Sequence, residues 1–586
     1  MTGGRQFGPR IGSDGVTFRH WAPAARSASL VSEGAHPMLP VGDGWFETTQ
    51  PDASAGARYK FRINDEIDVP DPASRFQPED VHGPSEAIGP AFGWACADWK
   101  GRPWHECVFL ELHIGSFAPQ GTFLAAIDKL DHVAQTGFTA IELMPVADFA
   151  GRWNWGYDGV LPFAPDSIYG RPEDLKALID AAHARGLMVF LDVVYNHFGP
   201  EGNYLGRYAP SFFTDAHTPW GNAIDYRVPQ VRAFAIENAL HWLDDYRFDG
   251  LRLDAVHAIA EPGSPSVLEE LSKAVGHLAA STGRYIHLVL ENDDNRASLL
   301  DPRSDPPRGH YRAQWNDDYH HAFHVLLTGE TTGYYCDYRD ANSLLARTLG
   351  QGFAYQGEPS PHRGGSTRGE PSRMLPATAF VNFLQNHDQI GNRALGERLA
   401  EIAQPEALEA ALAVTLLAPA PPLMFMGDEW GSKQPFPFFC DFKGELADAV
   451  RQGRRKEFAE AYAKHSDEIP DPLASSTVEL ATLDWSARAR GEHRARLDLV
   501  RHLLATRRAS IMPLLSELEP GASEASVNGG VLDAHWRLND GRRLRLVANL
   551  ANQPLPLPRI QPHALIWGDT TGDLAAWAVV VVLESE

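Results

Sequence analysis

Over the first hundred residues, apolar and polar positions alternate in short runs. "GVTFRHWAP", "SASLVS", "GWFETTQ" and "ARYKFRI" each read as a half-buried strand, with Gly, Pro, Asp and Ser between them. The pattern predicts a small β-sandwich over residues 1–97. Within it, "DPASRFQPEDVHGPSE" reads as a long surface connection.

From about Trp104 the pattern becomes apolar strand followed by amphipathic helix. The strand candidates are "VFLELHIGSF", "FTAIELMPV", "LMVFLDVVYNH", "FDGLRLDAV", "YIHLVLEND", "HYRAQW", "AFVNFLQNHD" and "PLMFMGDEW". Helical periods such as "TFLAAIDKLDHVAQTG", "PEDLKALIDAAHARG", "VRAFAIENALHWLDDYR" and "PEALEAALAVTLLA" lie between several of them. Eight such units predict an α/β fold, a (β/α)8 TIM barrel with long loops, over residues 98–513. The sixth strand carries the weakest pattern. After the third strand, "FGPEGNYLGRYAPSFFTDAHTPWGNAIDY" is long, aromatic and helix-poor, which predicts a small inserted subdomain at about 198–226. A second loop, "YQGEPSPHRGGSTRGEPSRMLPAT", precedes the seventh strand and is placed to border the same site. Beyond the helical "RLDLVRHLLATRRAS", the chain returns to short strands, "RRLRLVANL" and "AWAVVVVL". These predict a C-terminal β-sandwich over residues 514–586.

Many of the barrel strands end in polar residues: His113, Asp192 to His197, Arg252 and Asp254, Glu291, Asn386 to Asp388, and Asp428 with Glu429. In barrel enzymes the C-terminal strand ends face the active site, and the opposite rim serves stability. "DGLRLDAV" is the clearest case. As a strand it puts Leu251, Leu253 and Ala255 on one face and Arg252 and Asp254 on the other. Charged groups rarely go inside without partners or a purpose.

Composition narrows the partners. The 586 residues are 44% hydrophobic and 10% aromatic, ample for several globular cores. A formal charge of −24 disfavours nucleic acid and anionic membrane surfaces and leaves a neutral partner as the best fit. Cys96, Cys107, Cys336 and Cys440 show neither metal-ligand spacing nor a disulfide framework, which suits structural thiols in a reducing compartment. "MTGGRQFGPR" lacks the apolar stretch of a signal peptide, and "LAVTLLAPAPPLMFMG" is too short for a membrane span and broken by proline. A soluble, cytoplasmic protein is expected.

Three strand-end acids carry the candidate chemistry: Asp254, Glu291 and Asp388. Cleaving a glycosidic bond needs one carboxylate at the anomeric carbon and one carboxylic acid to protonate the leaving oxygen, held roughly 5–5.5 Å apart in retaining enzymes. Acids on the adjacent fourth and fifth strands can meet at that range. Arg252 favours the ionised form of Asp254, as a nucleophile requires. Glu291 must stay protonated, through desolvation or nearby negative charge, for which Asp293 and Asp294 are the sequence neighbours. Asp388 can grip sugar hydroxyls most tightly in the transition state. Taken singly, each acid is more often a cap or half of an ion pair; it is the three on separate strands, with Arg252 and His387 beside them, that point to chemistry. Trp153, Trp155 and Tyr157 in "RWNWGYDG" offer flat rings for sugar faces, and Asp158 in the same stretch is a further candidate contact. His197 can donate to a sugar hydroxyl. In "NDDYHHAFH", His320 and His324 stand four apart, but no Glu of an H-E-x-x-H motif lies between them, so zinc is weakly supported. No metal and no cofactor is expected. Strand-end carboxylates for magnesium, and a non-catalytic carbohydrate-binding protein on the same fold, are the readings from other classes.

These residues resemble the α-amylase superfamily, glycoside hydrolase family 13. "DVVYNH" is similar to its first signature, "GLRLDAV" to the second, "LVLEND" to the third and "FLQNHD" to the fourth. The resemblance implies Asp254 as nucleophile, Glu291 as acid/base and Asp388 as transition-state stabiliser. Arg252, His197 and His387 would support them, and Tyr157 would be the sugar platform. It also implies a carbohydrate-binding-like N-terminal module. "NWGYDGVLPFAPDSIYG", "QWNDDYHHAFH" and "YQGEPSPHRGG" resemble the branch of the family that hydrolyses the α-1,4 bond next to the terminal trehalose of maltooligosyl trehalose, releasing trehalose. That likeness implies α-glucan partners and functional pairing with a maltooligosyltrehalose synthase. Asn292 and Asp293 in "ENDDN" would shape the leaving-group side. Branching enzymes share the domain plan and "NHFGP", so transfer to a sugar hydroxyl is the alternative within the family.

Overall fold

The computed structural model describes residues 5–218, 221–259, 265–301, 311–459, 461, 463 and 468–585. Its centre is a closed barrel of eight parallel strands: β1 (Phe109–Leu112), β2 (Ala140–Leu143), β3 (Met188–Val193), β4 (Gly250–Leu253), β5 (His287–Leu290), β6 (Ala313–Trp315), β7 (Phe380–Phe383) and β8 (Pro422–Phe425). This is the expected α/β class. The weakest sequence pattern became the shortest strand, β6, and His310 of its quoted stretch lies outside the described residues.

Alternation along the strands sorts the interior by height. Phe109, Ala140, Phe190, Val289, Val381 and Phe383 belong to one apolar cluster inside the barrel. Gly250 lets Phe190 in: a Cβ there would lie 2.2 Å from the ring. Two residues further along four of the strands come Glu111, Glu142, Asp192 and Arg252, with Glu111 paired in register to Glu142 and Asp192 to Arg252. Polarity therefore begins one layer above an apolar floor, at the C-terminal mouth.

The helices follow the apolar periods. Pro172–Ala184 has proline at its start, Asp174 Oδ2 accepting from Arg171 N at 2.9 Å, and Leu175, Leu178, Ile179 and Ala182 turned inward. After β3 come a short helix (Leu205–Tyr208) and a hairpin (Phe213–Thr218 with Gly221–Ile224), whose Phe212 and Phe213 pack on Phe198. Pro219 and Trp220 of this insertion lie outside the described residues, as does the start of "MTGGRQFGPR".

The N-terminal segment forms two antiparallel sheets, one around Gly15–Trp21 and Trp45–Gln50, the other around Ala28–Val31 and Arg58–Ile63. Phe18 and Tyr59 close the space between them with ring centroids 4.6 Å apart. The module is tied to the barrel. Arg5 pairs with Asp244, the backbone of Gln6 and Phe7 donates to Glu237, and Phe7 meets Phe234 edge-on at 5.0 Å.

The C-terminal segment differs from expectation. It is one five-stranded antiparallel sheet, ordered Leu518–Asn528, Val531–Leu538, Arg543–Asn549, Val579–Glu584, Pro562–Trp567, with no second sheet among the described residues. Leu555, Leu557 and Leu574 cover the outer face of Val547, Val580 and Val582 instead. The covering stretch "QPLPLPRIQ" is rich in proline and, among the described residues, pairs only at a single bridge, Leu555 with Leu574.

Candidate active site

Arg252 is the hub of the barrel mouth. Its Nη1 donates to Asp192 Oδ2 at 2.7 Å and to Asp254 Oδ1 at 3.0 Å, and its Nη2 meets Glu291 Oε2 at 3.0 Å. The guanidinium lies 4.0 Å from the centroid of Trp315, whose face supplies a cation–π contact from β6. One cation thus draws the carboxyls at the ends of β3, β4 and β5 together. Asp254 is held at both oxygens, since Asn196 Nδ2 donates to Oδ2 at 2.8 Å, and its side chain remains 12% exposed to the pocket.

The next residue turns sharply. Ala255 has φ of 39°, a left-handed conformation that costs a residue with a Cβ about 1–2 kcal/mol. The turn aims Ala255 N–H at Glu291 Oε2, 2.7 Å away. The backbone after one acid therefore positions the other. Burial raises the Glu291 carboxyl; Arg252 and the Ala255 N–H oppose the rise, and the charge of Asp254 adds to it.

Asp388 is the second residue of a short helix, His387–Gly391, after β7, where Asn386 Oδ1 accepts from its backbone N–H at 2.9 Å and Asn392 donates to its Oδ1 at 2.7 Å. Burial raises its carboxyl as well, with His387 opposing and Glu291 reinforcing. His387 pairs through Nδ1 with Glu111 of β1, leaving Nε2 2.9 Å from Tyr157 Oη. Burial lowers the imidazole but Glu111 outweighs it, so its pKa is raised. Tyr157 Oη donates to Asp192 at 2.6 Å, and its ring stacks on His387 at 5.2 Å. Trp155 lies edge-on to His387 at 5.3 Å and flat on Phe436. It fits because residue 391 is glycine; a Cβ there would come within 1.9 Å of the indole. His197 Nε2 lies 2.9 Å from the carbonyl of Tyr157, and burial lowers its pKa against the opposing Tyr157 carbonyl and Asp158. Asp158 accepts from Asn154 Nδ2 at 2.7 Å and is raised by burial.

Three separate stretches of the chain match described families. Residues 98–213 match "Alpha amylase, catalytic domain", 6–74 match "Carbohydrate-binding module 48 (Isoamylase N-terminal domain)" and 520–581 match a domain of unknown function, DUF3459. A malto-oligosyltrehalose trehalohydrolase from Deinococcus radiodurans is 43% identical over 92% of this chain and 88% of its own. One from Mycobacterium tuberculosis is 39% identical over 97% and 99%. The chain belongs to the malto-oligosyltrehalose trehalohydrolase family. A crystal structure from Salmonella typhimurium assigned to the alpha amylases superimposes on this trehalohydrolase-family chain with a TM-score of 0.94, at 44% identity and 99% coverage of both.

Asp254, Glu291, Asp388, Arg252, His387, Tyr157, Trp155 and His197 share this one mouth, and Asn292 and Asp293 follow directly on Glu291. Asn292 is buried, and its Oδ1 accepts from Asp294 N at 3.1 Å, so it shapes the turn after β5. Asp293 pairs with Arg363 and Arg368 of the loop before β7, and Asp294 with Arg363 at 2.8 Å. Those acids anchor the loop, and the strongest negative charge acting on Glu291 is Asp254.

Sequence reasoning assigned no role to Glu111, Asn196, Asp192 and Trp315, which orient the acids in this trehalohydrolase-family site. The available signal was their inward register, with Asp192 opposite Arg252. The histidines of "NDDYHHAFH" are occupied elsewhere: His320 with Tyr335 and the Leu384 carbonyl, His324 with Glu330 at 2.8 Å. Among the described residues no group of three or more His, Cys, Asp or Glu is arranged to hold a metal ion, and no helix is long and apolar enough to cross a membrane.

Proposed function

We propose that the chain hydrolyses the α-1,4 bond next to the terminal trehalose of maltooligosyl trehalose, by a retaining double displacement. The reading rests on one observation above the others: a single guanidinium touches the carboxyls of Asp254 and Glu291 through its two nitrogens. Such a bridge suits the roughly 5–5.5 Å separation of a retaining pair. Asp254 attacks the anomeric carbon while Glu291 gives its proton to the departing oxygen, so trehalose leaves and a glucosyl ester forms on Asp254. Glu291, now a carboxylate, takes a proton from water. The water attacks the anomeric carbon and frees Asp254, giving a maltooligosaccharide with the original α configuration. Asp388 grips the distorted ring, and the stacked Tyr157 and His387 form its floor. Substrates are α-glucans ending in trehalose, and a synthase that builds such ends is the functional partner this reading implies.

Incubating the purified chain with maltotriosyl trehalose is expected to yield trehalose and maltotriose, with the α anomer of maltotriose appearing first by NMR. Amylose that gains α-1,6 branches, with no trehalose from the first substrate, makes the chain a branching enzyme instead.

A further inference from the structure

Asp317 is the first residue of the helix Asp317–Thr328, directly beyond the end of β6. It therefore stands on the active-site rim between the strands that carry Glu291 and Asp388. Its neighbour Asp318 is saturated: Tyr338, Arg368, Asn295 and the backbone N–H groups of Ala354 and Tyr355 all donate to it. Asp317, half-buried, accepts from no protein group among the described residues. A carboxyl so placed is costly unless something else satisfies it.

The charges acting on Asp317 locate it. Burial raises its carboxyl well above the usual range, Glu291, Asp293 and Asp388 reinforce this, and Arg368 opposes it. Tyr334 in turn feels both Asp388 and Asp317. Of the groups around it, Asp388 grips the ring being attacked, whereas Glu291 gives its proton to the departing oxygen and Asp293 anchors the loop beyond. The last two mark the side on which the leaving sugar sits.

We propose that the Asp317 carboxyl hydrogen-bonds an adjacent pair of hydroxyls on the departing trehalose, on the ring next to the scissile bond. Vicinal hydroxyls match the two oxygens of one carboxyl, and the contact completes a group the protein leaves open. This rests on the trehalohydrolase reading of the site.

The test compares Asp317→Ala and Asp317→Asn with the unaltered chain on maltotriosyl trehalose and on α-maltotriosyl fluoride, whose leaving group carries no ring. Loss of a hydrogen-bond partner that leaves buried hydroxyls unsatisfied is worth about 10- to 100-fold. The ratio of kcat/KM on the trehalose substrate to that on the fluoride is expected to fall by about that factor in Asp317→Ala, and by less in Asp317→Asn. Trehalose should weaken as a product inhibitor in the same order. A ratio within about two-fold of the unaltered chain in Asp317→Ala overturns the proposal; where that variant does not fold, an unchanged ratio in Asp317→Asn does so. If the unaltered chain itself releases no trehalose, the functional reading fails, and the comparison separates the two failures.

Discussion

Arg252 reaches Asp254 and Glu291 at 3.0 Å each, yet the two carboxyls need opposite protonation to open a glycosidic bond. Their surroundings break the tie. Glu291 is raised by burial, despite Arg252, and by the charge of Asp254. A raised pKa keeps the acid form to higher pH, so kcat/KM on maltotriosyl trehalose should fall as pH rises through the Glu291 value, which lies above the ordinary ~4.3. Fluoride departs without a proton, so the first step on maltotriosyl fluoride should lack that alkaline limb. By the same logic Glu291→Gln should cost about 10²- to 10⁴-fold on the trehalose substrate and much less on formation of the ester from the fluoride. Equal losses on both substrates count against Glu291 as the acid. At this scale the three acids were legible because each follows a barrel strand in a distinctive string, Asp254 and Glu291 directly and Asp388 on the next turn. The residues that orient them were not, because Glu111 and His387 touch only after the barrel closes β1 against β8 and brings β7 alongside. Asp293 and Asp294 misled for the converse reason: nearness in the chain to Glu291 did not survive the turn that sends them to Arg363 and Arg368.

The eight strand–helix units were legible because the apolar pattern changes period between strand and helix, and because interior positions stay apolar up to the polar layer. The same packing makes the barrel intolerant of small changes. Gly250→Ala should drive a methyl group into Phe190, and overpacking of this kind costs about 1–3 kcal/mol or more. The thermal midpoint should drop by several degrees, and Phe190→Leu in the same chain should restore part of the loss. An unchanged midpoint means the ring has room to move that the packing does not suggest. Two elements escaped the pattern. The period in "TFLAAIDKLDHVAQTG" became two short helices, Phe123–Ile127 and Leu130–Thr136, broken at Asp128–Lys129. The single C-terminal sheet stands where a sandwich is expected, since apolar alternation in "RRLRLVANL" and "AWAVVVVL" does not say whether a second sheet or a loop covers the strands.

How the three segments fit together was the least legible, since contacts such as Phe7 on Phe234 depend on surfaces far apart in sequence. The fit bears on the N-terminal module, whose family is named for carbohydrate binding. Within the matched stretch 6–74 all the large aromatic rings, Phe7, Phe18, Trp21, Trp45, Phe46, Tyr59 and Phe61, are buried, and the half-buried Trp94 beyond it is covered by Arg247. Trp21 faces Phe212 of the barrel insertion, and Trp45 lies against Phe7 and Arg19. Without an open ring to stack on sugar, the module should act as a brace. The Asp254→Ala chain should therefore stay in the supernatant with insoluble starch, and sedimentation that maltotriosyl trehalose does not compete away would assign the module a binding surface of its own. The last sheet has a further consequence. Val579–Glu584 lies inside it, between Arg543–Asn549 and Pro562–Trp567. A growing polypeptide cannot finish this sheet until that stretch has left the ribosome, and a message truncated before Val579 removes a middle strand, leaving two unpaired edges for chaperones and proteases to find.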